Sequence, residues 1–407
     1  MTAGAIGSPH GSLECPKRLS PLFTIVVISC ATLVGLSSYL LLFSRVQTAS
    51  SGSVLKEQNL MTRVDKCSFL ERQLIRAALS TSEDFTAETG CPISDAWLQE
   101  YLEREAVRKK FVFLNFGCNK GYDSIRVAQT VTRNAAVFNK EKWKMGLGIE
   151  DAGICNQGGV DDDDSPSPVL RGPVRPVEVH CIEAMPSNFK ALKQASDVTS
   201  AEAHGLKVHF YAMTGTPNVG SISFPDSSPG TEHLGIGSCM DGSNAEYGCV
   251  DVPATTMDEF VSKHVGIKLA DDAGIEDRLP YVSIDIEGYD FTVMQSGKRT
   301  LKQTDYLEFE FNAHGDWGHQ NLYDCIELLH SLDLYCYWSG VNKLWKITNC
   351  WVDTYHGAHQ WSNIACVNPL SQPGLFQTME AVFESTIEQT LQDFLEQLIE
   401  TDDDEVE

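Results

Sequence analysis

The sequence predicts an α/β domain with a doubly wound, mostly parallel sheet, set behind one N-terminal membrane-spanning helix. Three observations predict it. From residue 110 onward, short apolar runs alternate with helix-compatible stretches, the texture of βαβ units. Several of those runs end in a glycine turn or a carboxylate, at the strand ends where open α/β sheets hold ligands. Residues 22–43 form an apolar run without a single charge.

Composition bounds the problem first. The chain has 407 residues, enough for one large domain or two ordinary ones, with 42% hydrophobic and 21% charged residues, a globular profile. Lys plus Arg number 31 against 56 Asp plus Glu, a formal charge of −25. Much of the excess is local: residues 380–407 carry eleven carboxylates and no Lys or Arg, and Asp161 to Asp164 add four more. So acidic a chain lacks the cationic surface that phosphate backbones need, and no nucleic-acid partner is expected. Thirteen cysteines are present, without a CxxC pair or Cys/His spacing for zinc, so no structural metal is expected. Eleven of them follow the apolar run, an odd number that leaves at least one thiol unpaired in a monomer, and the count alone leaves the redox compartment open.

Taken in order, residues 1–21 are a short tail and 22–43 are a transmembrane signal-anchor. At ~1.5 Å per residue the 22 uncharged positions span a hydrocarbon core of ~30 Å, and the run exceeds the h-region of a cleaved signal peptide. Lys17 and Arg18 precede it and Arg45 follows, favouring a cytosolic N-terminus and a single-pass, type II arrangement. Residues 44–108 read as a stem with short helices, one over 67–79 and one starting from Ser94-Asp95. The main domain spans 109–370, with strands expected at 111–116, 177–182, 207–211, 279–284 and 306–311, and an insertion over 133–175 rich in Gly, Asp and Pro. Residues 371–407 hold an amphipathic helix over 379–399, on Val382, Phe383, Ile387, Leu391, Phe394, Leu395, Leu398 and Ile399, then an acidic tail.

Four strings carry candidate chemistry. In FVFLNFGCNKG an apolar strand runs into Gly117 and Gly121, whose missing Cβ atoms let a ligand approach backbone, although a plain tight turn reads the same way. In VEVHCIEAMPSNF, Glu183 ends the next strand, where a carboxylate accepts both hydroxyls of a ribose, and a surface carboxylate is the bland alternative. In YVSIDIEGYDFTVMQSG, Asp285 and Glu287 stand two apart at a strand end, on one face, suited to a substrate hydroxyl or a cation, with helix capping as the alternative for Glu287. In YLEFEFNAHGDWG, Glu308 and Glu310 alternate on a strand and His314 follows in the loop.

In this order the strings, with YAMTG, VPATTMDEF and WSNIACVN, make residues 111–367 resemble the FkbM family of S-adenosylmethionine-dependent methyltransferases. The resemblance implies a Rossmann-like class I sheet and S-adenosyl-L-methionine as cofactor. It also implies methyl transfer to a hydroxyl of a carbohydrate, lipid or secondary metabolite; the apolar helix, apart from the resemblance, leads to the expectation of a lumenal domain in the endoplasmic reticulum or Golgi. Carried over residue by residue, Gly117, Asn119 and Gly121 form the cofactor cradle, Glu183 holds the ribose, and Ala212 and Met213 flank the adenine. Asp285 is the preferred base, with Glu287, Glu310 and His314 as other catalytic candidates. Asn115 occupies a cofactor-side position where the family pattern expects an acidic residue. Two rivals stay open: a non-catalytic tethered module with this fold, motivated by Asn115, and a type II glycosyltransferase using the Asp161–Asp164 run. The oligomeric state is unread.

Overall fold

An eight-stranded sheet organises the computed structural model, which describes residues 67–80, 96–104, 110–149, 175–231, 234–239, 248–270, 274, 277–357 and 362–404. In chain order the strands are β1 (Phe111–Phe116), β2 (Val177–Glu183), β3 (Leu206–Phe210), β4 (Ala212–Met213), β5 (Ser221–Asp226), β6 (Gly248–Thr255), β7 (Leu279–Ile284), β8 (Thr304–Phe311), β9 (Tyr335–Gly340), β10 (Lys343–Lys346) and β11 (Ser362–Val367). The large sheet runs β10-β9-β11-β8-β7-β1-β2-β3, and β4, β6 and β5 form a small second sheet. Strands β3, β2, β1, β7 and β8 pair in parallel, while β11 is antiparallel to both β8 and β9. This mixed, parallel-rich α/β arrangement is consistent with the methyltransferase sheet expected from sequence.

Why these segments become central strands is visible in their burial. Every residue of β1, β2 and β8 is buried, because helices cover a parallel sheet on both faces and each strand then reads as an unbroken apolar run. Helix Tyr122–Thr132 packs on β1 and β2, and helix Pro186–Thr199 on β2 and β3. Register places the functional ends side by side: Phe116 of β1 lies opposite Ile182 of β2 and Ile284 of β7. The turns leaving these three strands therefore open into one crevice.

The observed elements refine several expectations. The strand expected at 207–211 is β3, one residue earlier, followed by the separate pair β4, and β2 runs on through Glu183. Strands β9 and β10 were not anticipated; they form a hairpin around Asn342, whose φ of +54° is the left-handed turn conformation that Asn tolerates. The opening part of the expected insertion is helix Lys140–Leu147, anchored by buried Trp143, whose Nε1 donates to the Lys120 carbonyl at 2.8 Å.

Both helices of the expected stem dock on the domain within the unit Lys66–Glu407. Trp97 Nε1 donates to Tyr306 Oη at 3.2 Å, Tyr101 Oη donates to the Pro280 carbonyl at 2.9 Å, and Cys67 is disulfide-bonded to Cys350. Three further disulfides join Cys118 to Cys181, Cys239 to Cys249 and Cys336 to Cys366, and among the described residues Cys325 is a free, buried thiol. The C-terminal helix is longer than expected, Pro373–Asp404. Its first half buries Leu375, Phe376, Met379 and Phe383, whereas Phe394 and Leu395 are 46% and 45% exposed.

The apolar run 22–43, the tail before it and the Asp161–Asp164 run lie outside the described residues. Among the described residues no helix is long and apolar enough to cross a membrane.

Candidate active site

The crevice is built from three turns. Strand β1 leaves the sheet through Gly117, whose φ is +87°; a Cβ there would sit 1.5 Å from the Asp285 carbonyl oxygen, so glycine alone lets the β1 turn lie against the end of β7. The amides of Gly117 and Cys118 both donate to the Ile182 carbonyl at 3.0 Å, and the Asp285 amide donates to the Phe116 carbonyl at 2.8 Å.

Glu183, at the end of β2, ties the first turn to the second. One carboxylate oxygen accepts from the Asn119 amide at 2.8 Å and the other from the Met185 amide at 2.7 Å. Burial pushes this carboxyl up to about 7, against the pull of its backbone donors. The Ala184 amide donates to the same carboxylate, and of its roughly four acceptor sites one remains for a further donor, as a ribose contact requires.

The third turn carries Asp285 and Glu287. Glu287 adopts the left-handed region at φ +56°, ahead of Gly288 at +88°, a reversal that brings both carboxylates onto the cleft wall. Asp285 is exposed, but to the cleft; its enclosing walls strip it of water and, with the charges of Glu287 and Asp290, hold its pKa well above the usual carboxylate range. Its cross-strand neighbour Glu310 is buried and hydrogen-bonded to it, and burial likewise raises the Glu310 pKa. Asn312 Nδ2 donates to the outer oxygen of Glu310 at 2.7 Å. Asp290 behind them is pushed by burial up to about 7.

Together the turns border one open cleft. Its carboxylates are Glu183, Asp285 and Glu287, its apolar wall is Met185, Met213, Phe224, Leu234 and Ile236, and among the described residues no Lys, Arg or His lines it. Of the residues singled out in the sequence, Gly117, Asn119, Glu183, Met213, Asp285 and Glu287 meet on this lining. The others stand behind it. Asn115 is buried and donates from Nδ2 to Ser124 Oγ at 3.1 Å; Gly121 caps helix Tyr122–Thr132 against Leu192 and Trp143; Ala212 packs with Met185, Phe224 and Val252. Glu310 reaches the cleft through Asp285, and His314 supplies the carbonyl that Gly288 packs against.

Sequence reasoning missed Asn188, Tyr211, Phe224, Leu234 and Ile236. Asn188 accepts from the Gly230 amide at 2.7 Å and donates to Asn119 Oδ1 at 3.3 Å, joining the β1 turn to the segment after β5. A signal existed for Asn188, inside the MPSNF helix start, and for Tyr211, which opens the YAMTG string; Phe224, Leu234 and Ile236 belong to the small sheet and its return loop, where no periodicity marks them.

A parallel-rich sheet with an acidic cleft at its strand ends defines an α/β protein whose ligand crevice lies at its topological switch point. Residues 175–333 match the family model for the methyltransferase FkbM domain, a match that supports a methyltransferase. The matched residues include Glu183, Asp285 and Glu287 but begin after β1, so the glycine turn rests on geometry. No curated protein matches the sequence. A crystal structure from Klebsiella pneumoniae, provisionally assigned as an O-methyltransferase, covers 76% of this chain and 95% of its own at 7% identity and a TM-score of 0.28, a likeness too weak to carry argument.

Proposed function

We propose that this methyltransferase takes its methyl group from S-adenosylmethionine and delivers it to a hydroxyl of a carbohydrate, lipid or secondary metabolite, as a type II membrane protein facing the lumen of the endoplasmic reticulum or Golgi. The lining of the cleft carries the reading. Three carboxylates beside an apolar wall suit a ligand with cationic centres and a purine face, whereas among the described lining residues there is no side-chain cation to neutralise the diphosphate of a nucleotide sugar. When bound, S-adenosylmethionine supplies an electrophilic methyl carbon on a positively charged sulfur. Glu183 accepts a ribose hydroxyl through its remaining acceptor site, and Met185, Met213 and Phe224 enclose the base. Asp285, hydrogen-bonded to Glu310, accepts the proton of the acceptor hydroxyl, and Glu287 beside it orients that hydroxyl. The uncharged run 22–43 supports the anchor, and four disulfides support an oxidising compartment.

Calorimetric titration of the full chain in detergent with S-adenosylhomocysteine tests the reading. Binding is expected, weakened at least about tenfold by Glu183→Ala. Absence of binding to folded protein removes the cofactor from the account. Asp285→Asn is expected to bind the cofactor product normally while losing methyl transfer to any acceptor that the native protein uses, by about 10²-fold or more. Full turnover in that variant assigns the base elsewhere.

A further inference from the structure

Resting on the S-adenosylmethionine reading, we infer that the Cys118–Cys181 cystine is a positioning element of the cofactor site, clamping the β1 turn to β2 so that the Asn119 amide meets the Glu183 carboxylate. Cys118 is the residue between Gly117 and Asn119, both of which line the cleft, and Cys181 lies two positions before Glu183. The covalent link and the 2.8 Å hydrogen bond from Asn119 to Glu183 thus bracket the same short stretch of both strands. Both half-cystines are buried, at 5% and 0% exposure.

Without the link, the turn is held by noncovalent ties alone. The Gly117 and Cys118 amides share a single acceptor, the Ile182 carbonyl; the Asn119 amide donates to the Glu183 carboxylate, which a bound ribose also engages in this reading, and Asn119 Oδ1 accepts from Asn188 Nδ2 at 3.3 Å. Beneath the turn Asn115, where an acidic residue was expected, makes a neutral contact with Ser124 Oγ, and the Cys118 sulfur lies 3.4 Å from the same oxygen. The cystine also closes a 63-residue stretch that contains the whole 133–175 segment. It joins the two ends of that long excursion at the cofactor cradle, so the position of the turn relative to Glu183 does not depend on how the excursion packs.

The test compares C118A/C181A with C336A/C366A in the full chain. The control pair removes a disulfide between β9 and β11, strands that contribute no residue to the cleft lining. The expected result is that C118A/C181A binds S-adenosylhomocysteine about tenfold more weakly or worse, while C336A/C366A binds within about twofold of the native chain. Amide exchange at 117–119 should accelerate in the first variant while β8 amides stay unchanged, a pattern that general destabilisation does not produce. Native affinity in C118A/C181A, or equal losses in both variants, overturns the inference. Should the alanine pair not fold, C118V/C181A refills the buried volume and is judged by the same outcomes. If the native chain itself binds no S-adenosylhomocysteine, the cofactor reading fails first and the inference falls with it; native binding with an indifferent C118A/C181A overturns the inference alone.

Discussion

Glu183 shows how one side chain couples the cleft to pH. Its carboxyl keeps a proton up to about 7 because burial disfavours the charge, whereas the ordinary value is 4.5. Between those values the folded chain binds more protons than the unfolded one, so this group's contribution to stability declines as pH rises through the window. A ligand hydroxyl donates to the ionised form, so binding expels a proton below about 7, and affinity for S-adenosylhomocysteine should fall toward tenfold per pH unit as the pH drops from there. Calorimetry in buffers of different ionisation enthalpy reads that proton directly, and Glu183→Gln should abolish the release. A proton count that Gln leaves unchanged assigns the titration to another group. Glu183 was legible as a strand-end carboxylate, but its backbone donors were not, because Asn119 and Met185 reach it only once β1 and β2 pair in register.

Individual elements divide into those that the core demands and those that extend past it. Along helix Pro373–Asp404, Phe383 is 3% exposed and Thr386 accepts from the Leu344 amide at 3.1 Å, while Phe394 and Leu395 face water. Phe383→Ala should therefore destabilise the domain by about 3–5 kcal/mol, whereas ending the chain after residue 390 should change the urea midpoint by less than about 0.5 kcal/mol equivalent. A large loss on truncation would show that the distal turns pack in solution. Strands β2 and β3 carry a second device, a buried relay in which His180 Nε2 lies 2.9 Å from Glu178 and Nδ1 lies 3.0 Å from His209 Nε2. Lys110 and Lys207 pair with Glu178 from either side, and Phe260 and His264 pack over His209. Burial lowers both His180, against the pull of Glu178, and His209, the latter to about 3, so the His209 ring stays neutral in the fold from pH 7 to 4 while the unfolded chain takes up a proton there below 6.5. Stability should decline as pH falls below 6.5, and His209→Asn should flatten that slope in urea titrations across pH 4 to 7. An unchanged slope would place the acid sensitivity in other groups.

On the scale of the whole molecule, the described residues form four disulfides, from Cys67 beside the first described helix to Cys366 in β11, two of them between segments of the large sheet and its turns and one from the N-terminal helix region to Cys350 after β10. Removing such a bond typically costs about 2–5 kcal/mol, so full reduction should lower the calorimetric melting temperature by ten degrees or more, or prevent refolding. An unaffected transition would argue that the chain folds as well with its thiols reduced. The parallel core was legible along the chain: β1 and β7 at their observed bounds, the glycine turn and the carboxylates at strand ends, since each depends on local apolar runs and on backbone conformations that neighbouring residues permit. The C-terminal helix was legible too, through its 3.6-residue period. Folding in three dimensions decides how the described cysteines pair, that the helices around Trp97 and Trp143 belong to the domain, and that a small sheet supplies the wall of the cleft. Those outcomes depend on contacts between residues distant along the chain. The same reason separates the sequence-selected residues that line the cleft from Asn115, Gly121 and Ala212, which stand behind it: a motif specifies a turn, while the packing of three turns against one another specifies which of its atoms face the ligand.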